Sequence, residues 1–134
     1  MAWLIDRSAV IRVKRSPDGQ LWHERIYAGD VSVAVATVLE MGVAARSAAE
    51  WTTAIRGVPV SLMPRVYATP LVEERAVEVH GLLATRGQHR APSIPDLLLA
   101  ATAELSGLTV LHVDKDYDLI AAVTGQPVER LRTA

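Results

Sequence analysis

The stretch that decides the fold is residues 92–121, PSIPDLLLAATAELSGLTVLHVDKDYDLIA. It contains an apolar segment that ends at Gly107, then a short apolar run, and then aspartates that alternate with other residues. This order is typical of a helix, a buried strand and the start of another helix. The N-terminus repeats part of the pattern, because the apolar run of residues 2–5, AWLI, ends in Asp6. Buried strands of this kind, separated by helices, indicate a parallel sheet.

The rest of the chain continues this alternation of strands and helices. Apolar runs bounded by glycine and proline predict strands at residues 2–5, 31–36, 66–69, 108–113 and 128–131, and helices at 20–28, 37–46, 48–55, 70–86, between Ser93 and Gly107, and at 117–123. The element order predicts the α/β class. We expect one domain over residues 1–134, with a central, mostly parallel sheet of four to five strands and helices on both faces.

Capping patterns predict where three of the helices begin. Residues 9–15, after the first strand, are expected to be helical or extended, and Ser8 is expected to cap this segment if it is a helix. Thr37 with Glu40, and Ser93 with Asp96, have the spacing of a capping box, in which each side chain bonds to the backbone of the other residue.

The composition limits the class of protein. Half of the 134 residues are apolar and 22% are charged, which suits one compact domain with a sizeable core. There is no cysteine, so disulfides and thiolate metal sites are excluded, and a reducing, cytoplasmic location is expected. Asp6 interrupts the N-terminal apolar run, and no run reaches the roughly 18 residues of a membrane span. We therefore expect neither a signal peptide nor a membrane segment.

The formal net charge of −1 gives no overall attraction to nucleic acid. A polyanionic partner would therefore need a local basic patch or bound cations.

Five acids fall at positions that face one rim of the predicted sheet. Asp6 and Asp114 follow predicted strands, and Glu40, Asp96 and Asp116 lie at or beside predicted helix starts. In a parallel sheet, the C-terminal ends of strands and the first turns of the following helices share one edge, where ligands bind. Carboxylates gathered there repel one another and raise one another's pKa, so the cluster implies a bound cation or protonated groups.

The donor types in this cluster favour Mg²⁺ or Mn²⁺. Only oxygen ligands are available, and hard divalent cations prefer them. Zinc is not expected, because His23, His80, His89 and His112 are scattered without metal-binding spacing. Each acid also has a structural explanation as a helix cap, a strand end or a turn former. The joint arrangement, more than any single acid, supports a metal site.

Four short motifs, taken in this order, resemble the PIN-domain ribonucleases and, within them, the VapC-type toxins of bacterial toxin-antitoxin pairs. The motifs are residues 4–8 (LIDRS), 37–40 (TVLE), 93–103 (SIPDLLLAATA) and 110–118 (VLHVDKDYD). The resemblance covers essentially the whole chain, including its length and its element order. It implies a Mg²⁺- or Mn²⁺-dependent endoribonuclease, inhibited by a small VapB-type antitoxin and usually dimeric.

The resemblance also implies a set of site residues. By position, Asp6, Glu40, Asp96 and one or both of Asp114 and Asp116 correspond to the acidic pocket of the family.

The chain departs from the family where it has His112 and Val113, since the family often has a threonine or serine with a basic residue there. This leaves open whether Asp114 or Asp116 is the direct metal ligand, and whether His112 replaces a lost hydroxyl. The other interpretation of His112 is a satisfied, partly buried strand residue.

The acidic cluster favours hydrolysis of a phosphodiester bond. A cation held by Asp6 and Asp96, with help from Asp116, would activate a water for in-line attack, and Glu40 would either hold a metal-bound water or act as the base. Residues near the acids are candidates for contacting RNA: Arg7, Ser8, Arg86, Arg90 and Ser93. A second basic group near the first strand adds Arg12, Lys14 and Arg15. Helix capping is the alternative for the serines, and a solvated surface is the alternative for the basic residues.

Two other classes of protein fit the sequence less well. A receiver-type phospho-acceptor domain has paired acids after its first strand, and a haloacid-dehalogenase-like phosphatase has an Asp-x-Asp motif there, whereas this chain has only Asp6. A binding module without activity would use the acids only as helix caps. The RNA target, whether tRNA, rRNA or mRNA, is not legible in the sequence, because base recognition depends on loop geometry.

Overall fold

A five-stranded sheet forms the centre of the fold. The computed structural model describes residues 2–134, and its strands are β1 (Trp3–Ile5), β2 (Val31–Ala34), β3 (Arg65–Val66), β4 (Thr109–His112) and β5 (Val128–Arg130). The strand order is β3-β2-β1-β4-β5, and each of these neighbours pairs in parallel. The predicted α/β class with a parallel sheet is confirmed. The third strand covers two residues where four were expected.

Helices connect the strands and cover the sheet. They are α1 (Arg7–Val10), α2 (Gly19–Tyr27), α3 (Val35–Val43), α4 (Ala48–Arg56), α5 (Pro70–Thr85), α6 (Ile94–Ser106) and α7 (Asp116–Thr124), with single 3-10 turns at Val13–Arg15 and Val60–Leu62. Within residues 2–134, none of these helices has the length and the apolar character that a membrane crossing requires.

Alternating side chains of the strands fill two cores, one on each face of the sheet. Trp3 and Ile5 of β1 belong to the core that also contains Trp22 of α2. Leu4, between them, belongs to the other core, together with Leu99 of α6. Helices therefore cover both faces, as expected from the sequence. Because β1 pairs with β2 on one side and β4 on the other, its C-terminal end is fixed at the centre of the sheet.

Two of the three predicted helix caps are wrong. Helix α3 begins at Val35 with no side-chain cap, so Thr37 lies inside the helix, and its hydroxyl donates a hydrogen bond to the carbonyl of Ile5 at 3.3 Å. The capping box with Glu40 therefore does not form. The reason is that β2 runs directly into α3, so no loop residue is available to cap the helix. Ser8 does not cap α1 either, because Asp6 caps this helix by accepting the Ser8 N–H at 3.0 Å.

The capping prediction at the start of α6 is confirmed. Ser93 and Asp96 form the reciprocal pair of bonds of a capping box. The helix ends at Gly107, which has the left-handed conformation (φ 69°) that glycine adopts without strain.

Replacing Thr37 with valine tests whether the Thr37 hydroxyl stabilises the contact between α3 and β1. We expect Thr37→Val to lower the free energy of unfolding by about 1 kcal/mol, because the carbonyl of Ile5 loses a buried donor. Urea unfolding followed by circular dichroism measures the change. The control is Thr52→Val, which removes a similar bond to the carbonyl of Ala48 on an exposed helix face and should cost less. Equal unfolding midpoints for Thr37→Val and the wild type would contradict this role.

Candidate functional site

A cavity of about 470 Å³ lies at the C-terminal edge of the sheet, where β1 and β4 end side by side. All five acids predicted for the site line it: Asp6, Glu40, Asp96, Asp114 and Asp116. The other residues in its wall are Arg7, Ser8, Arg90, Ala91, Pro92 and Ser93. The structure therefore brings together carboxylates that are up to 110 positions apart in the chain.

Each acid reaches the cavity from a different part of the fold. Asp6 follows β1 directly, and Asp114 lies in the turn between β4 and α7, which begins at Asp116. Asp96 lies in the first turn of α6, and Glu40 lies in the second half of α3. The cavity therefore forms only when strands β1 and β4 are paired and the N-terminal ends of helices α6 and α7 lie beside them.

Three of the acids are close enough to share a metal ion. Asp96, Asp114 and Asp116 can each place a carboxylate oxygen within 4.8 Å of the other two. Octahedral Mg²⁺ holds its ligands at about 2.1 Å, so oxygens on one ion lie up to about 4.2 Å apart. The three carboxylates are therefore near the spacing that a hard divalent cation requires, and their oxygens are the donors that Mg²⁺ and Mn²⁺ prefer.

Asp6 lines the cavity but is held by hydrogen bonds. Its Oδ2 accepts the backbone N–H of Ser8 at 3.0 Å and the Ser8 hydroxyl at 2.7 Å. The Ser8 oxygen in turn accepts the backbone N–H of Val113 at 3.0 Å. Ser8 therefore ties the end of β1 to the turn after β4, and its hydroxyl hydrogen is already used within the protein.

Tyr117 connects two of the acids, and no sequence motif marks it as a site residue. Its side chain is fully buried, and its hydroxyl lies 2.8 Å from Oδ1 of Asp6 and 3.0 Å from Oδ1 of Asp96. A phenol has one hydrogen, so it donates to only one of these carboxylates. The second contact is favourable when the other carboxyl group carries a proton. The sequence offered one signal, because a tyrosine at a buried helix position needs a hydrogen-bond partner.

Three acids of the cavity have pKa values raised above those of free carboxyl groups. Burial raises the pKa of Asp96, and the charge of Asp6 raises it further. Burial, followed by the charges of the same two aspartates, also raises the pKa of Glu40. Burial and the neighbouring Asp114 raise the pKa of Asp116. Bringing these groups together therefore has an electrostatic cost, which a bound cation would offset.

His112 lies behind the cavity and not in its wall. The ring is fully buried at the end of β4, and its Nδ1 accepts the backbone N–H of Asp114 at 3.1 Å. Burial lowers the pKa of this imidazole. Its Nε2 has no hydrogen-bond partner within residues 2–134, and Oδ1 of Asp118 lies 3.8 Å away. The ring therefore positions the turn that carries Asp114, as a buried strand residue, and only one of its nitrogens is satisfied.

The predicted basic and hydroxyl residues divide into two groups. Arg7 and Arg90 line the cavity beside the acids, and so does Ser93, whose hydroxyl accepts the backbone N–H of Asp96 at 3.2 Å. Arg86 is exposed at the C-terminal end of α5 and does not line the cavity.

The chain belongs to the PIN domain family, whose model matches residues 3–123. Among curated proteins, it is 57% identical to ribonuclease VapC2 of Mycobacterium tuberculosis (strain CDC 1551 / Oshkosh), over 96% of this chain and 92% of that protein. It is 40% identical to ribonuclease VapC51 of M. tuberculosis (strain ATCC 25618 / H37Rv), with the same coverage of both chains.

Solved structures support the same fold. VapBC2 from Rickettsia felis, crystallised with a DNA fragment from its promoter, contains a chain that superposes with a TM-score of 0.76 at 12% sequence identity, covering 97% of this chain and 98% of that one. VapBC-5 from M. tuberculosis, described as a member of the VapBC family of toxin-antitoxin systems, gives a TM-score of 0.66 at 24% identity, covering 98% of both chains. At these identities the likeness concerns the fold.

Replacing Tyr117 with phenylalanine tests the bridge between the two aspartates. We expect Tyr117→Phe to lower the free energy of unfolding of metal-free protein at pH 7.5 by about 1.5 to 3 kcal/mol, because a carboxylate loses a buried donor. Chemical unfolding in EDTA measures the loss. The matched control is Tyr27→Phe. The Tyr27 side chain is exposed, so loss of its hydroxyl should change the free energy of unfolding little. A Tyr117→Phe variant as stable as the control would contradict the bridge.

Replacing Glu40 with glutamine tests the electrostatic cost of the cluster. A carboxyl group whose pKa is raised by folding binds more protons in the folded than in the unfolded protein between its two pKa values. Its contribution to stability is therefore lost as the pH rises through that window. We expect Glu40→Gln to raise the melting temperature of metal-free protein at pH 7.5 by about 1 to 3 °C, and by less at pH 4.5.

Thermal melts in EDTA at the two pH values measure this difference. The control is Glu74→Gln, since Glu74 is exposed on α5 and does not line the cavity. A Glu40→Gln variant that melts at or below the wild-type temperature at pH 7.5 would show that the cluster does not penalise this charge.

Proposed function

We propose that this protein is a Mg²⁺- or Mn²⁺-dependent endoribonuclease and acts as the toxin of a toxin-antitoxin pair. The observation that carries the proposal is the group of three carboxylates, Asp96, Asp114 and Asp116, whose oxygens lie within 4.8 Å of one another in a PIN fold. The relatives that are named ribonucleases, at 57% and 40% identity over nearly the whole chain, support hydrolysis of RNA. Residues 1–134 would act as one catalytic unit.

The proposed metal ligands are Asp96, Asp114 and Asp116, with Asp6 as a further ligand. Asp114 and Asp116 each have a carboxylate oxygen close to that of Asp96, so we assign both as ligands. Asp6 lies beside this group, since the same hydroxyl of Tyr117 contacts Asp6 and Asp96. Its Oδ2 is engaged by Ser8, whereas carboxylate oxygens keep further lone pairs for a metal.

The remaining residues of the cavity have distinct proposed tasks. When bound, the ion would activate a water and neutralise charge on the phosphate. Glu40 is the proposed base, because its raised pKa makes it a better proton acceptor than an ordinary carboxylate. Arg7 and Arg90 are the positive groups in the same wall, and we assign them to the non-bridging oxygens of the scissile phosphate. Ser93 contributes by capping α6, which fixes Asp96.

A VapB-type antitoxin is the proposed inhibitory partner, and we propose that the toxin forms a homodimer in the cytoplasm, where its RNA targets are. Helix α3 supports a protein-binding surface beside the site. Leu39 and Val43 of this helix are 61% and 86% exposed, and they line a hollow of about 540 Å³ that also contains Glu40. Exposed apolar groups next to a functional cavity are typical of a protein interface.

Cleavage of RNA by the purified toxin, free of antitoxin, tests the proposal. We expect fragments from tRNA, rRNA or mRNA when Mg²⁺ or Mn²⁺ is present, and none in EDTA. Asp6→Asn and Asp96→Asn should each lower the cleavage rate by more than about 100-fold, because changes even to residues that only support metal ligands cost up to about that factor. Gel analysis of labelled RNA and a melting curve for each variant separate lost activity from lost folding.

The matched control is Asp30→Asn, which removes an exposed acid outside the cavity and should cleave as the wild type does. Full activity in either site variant would refute the assignment of the residues. Metal binding without any cleavage would instead favour a binding module without activity. Cleavage in EDTA would refute the metal dependence.

A further inference from the structure

A second cavity adjoins the acidic one and has the opposite charge. It has a volume of about 630 Å³, and we call it the basic groove; its wall consists of Arg7, Ser8, Ile11, Arg12, Val113, Asp114, Lys115 and Arg130. Arg7, Ser8 and Asp114 belong to the walls of both cavities, so the basic groove starts where the acidic cavity ends. A chain lying in the acidic cavity therefore has a direct continuation on this side.

The charges of the two cavities are sharply divided. The acidic cavity has five carboxylates and two arginines in its wall, whereas the basic groove has four cationic side chains and one carboxylate. This division matters because the net charge of the whole chain is −1. The protein has no global attraction to a polyanion, so the attraction must come from a local basic patch or from bound cations, and the basic groove is such a patch.

The basic side chains are placed by the fold and keep donors free. Arg12 donates one bond, from Nη1 to the carbonyl of Ser8 at 2.7 Å, and a guanidinium group has five N–H donors. Arg130 pairs with Asp118 at 3.3 Å, with both side chains about half exposed, so solvent weakens this ion pair. Arg7 and Lys115 form no ion pair within residues 2–134.

The positive surface continues beyond the basic groove. Arg12 also lines a smaller hollow of about 210 Å³, together with Arg15, Thr133 and Ala134. Arg7, Arg12 and Arg15 thus follow one another from the acidic cavity outward. Apolar groups accompany them, since Ile11 is 47% exposed and Val113 also lies in the wall of the basic groove. Cations beside apolar surface suit a nucleic-acid strand, which presents phosphates on one side and ribose and bases on the other.

We propose that the basic groove binds the phosphodiester backbone of the RNA strand on one side of the cleavage point, with Arg12, Lys115 and Arg130 contacting phosphates that are not cleaved. This inference rests on the proposed ribonuclease function. The RNA next to the cleavage point would then lie between helix α1 and the turn that connects β4 to α7. Phosphate contacts of this kind position a strand without reading its sequence, so the groove gives affinity and register and leaves base recognition to other residues.

Binding of RNA by the full chain tests the groove separately from cleavage. The test variant is Arg12→Gln, Lys115→Gln, Arg130→Gln, which leaves every residue of the acidic cavity unchanged. Fluorescence anisotropy with labelled single-stranded RNA of 12 and of 3 nucleotides, in Ca²⁺ in place of Mg²⁺ and over a range of salt concentrations, gives the dissociation constants. A 3-nucleotide RNA has only two internucleotide phosphates, fewer than the three flanking phosphates and the scissile phosphate that the proposal requires.

We expect the wild type to bind the longer RNA more tightly, and the triple variant to lose at least about tenfold in affinity for it and most of the preference for length. The slope of log affinity against log salt should fall by about 0.7 for each phosphate contact removed, so by about 2 in the triple variant. The matched control is Arg46→Gln, because Arg46 is exposed and lines neither cavity, and it should retain the wild-type slope.

Arg130 lies in β5, so a folding defect in the triple variant is checked by a melting curve, and the double variant Arg12→Gln, Lys115→Gln serves if one appears. Unchanged affinity and salt slope in a folded variant would overturn the groove. A triple variant that loses affinity for an acidic peptide but keeps its affinity for RNA would also overturn the proposed RNA-binding role of the groove, in favour of a protein partner. If the wild type cleaves no RNA yet these binding losses occur, the groove stands and the ribonuclease function fails.

Discussion

The pairing of β1 with β4 is the constraint on which the rest of this structure depends. The register places Ile5 opposite Leu111, and the backbone N–H of Asp6 donates to the carbonyl of Leu111 at 2.9 Å. One parallel pair therefore joins residues 106 positions apart in the chain and sets the acids that follow the two strands side by side at one edge. Ser8 strengthens the joint by bonding to both Asp6 and the turn after β4. Without this pairing neither cavity would exist, because each takes one wall from each end of the chain.

The pairing of β1 with β4 also concentrates like charges, and the groups that hydrogen-bond to the acids or to their backbone are neutral. The phenol of Tyr117 lies between the carboxylates of Asp6 and Asp96. Ser93 forms the reciprocal bonds of the capping box with Asp96. The ring of His112 accepts the backbone N–H of Asp114 and so fixes the turn that carries this acid. None of these groups carries a positive charge, so they orient the acids without neutralising them. The acidic cavity thus remains electrostatically unsatisfied, which is the condition in which a cation gains most by binding. The two arginines in its wall, Arg7 and Arg90, are outnumbered by the five carboxylates.

Much of the fold and the identities of the acids follow from the sequence, because strand ends and helix starts have local signals. Asp6 and Asp114 each end an apolar run, and Asp96 completes a capping box with Ser93, so their common edge was predictable. Contacts between distant parts of the chain could not be predicted from the sequence, because they leave no local signal. The partners of the Tyr117 hydroxyl lie 111 and 21 positions away in the chain. Thr37 has the sequence pattern of a helix cap, but its hydroxyl donates to the carbonyl of Ile5 in β1, 32 positions away.

The edges of the sheet bear on how such a molecule meets its neighbours. One edge is β3, with two residues, and the other is β5, with three. A strand from another chain that added to either edge would gain only a few backbone hydrogen bonds, and short edges are one way in which proteins avoid pairing of this kind. Short edges therefore favour contacts through side chains over strand addition when this molecule meets a second copy or another protein.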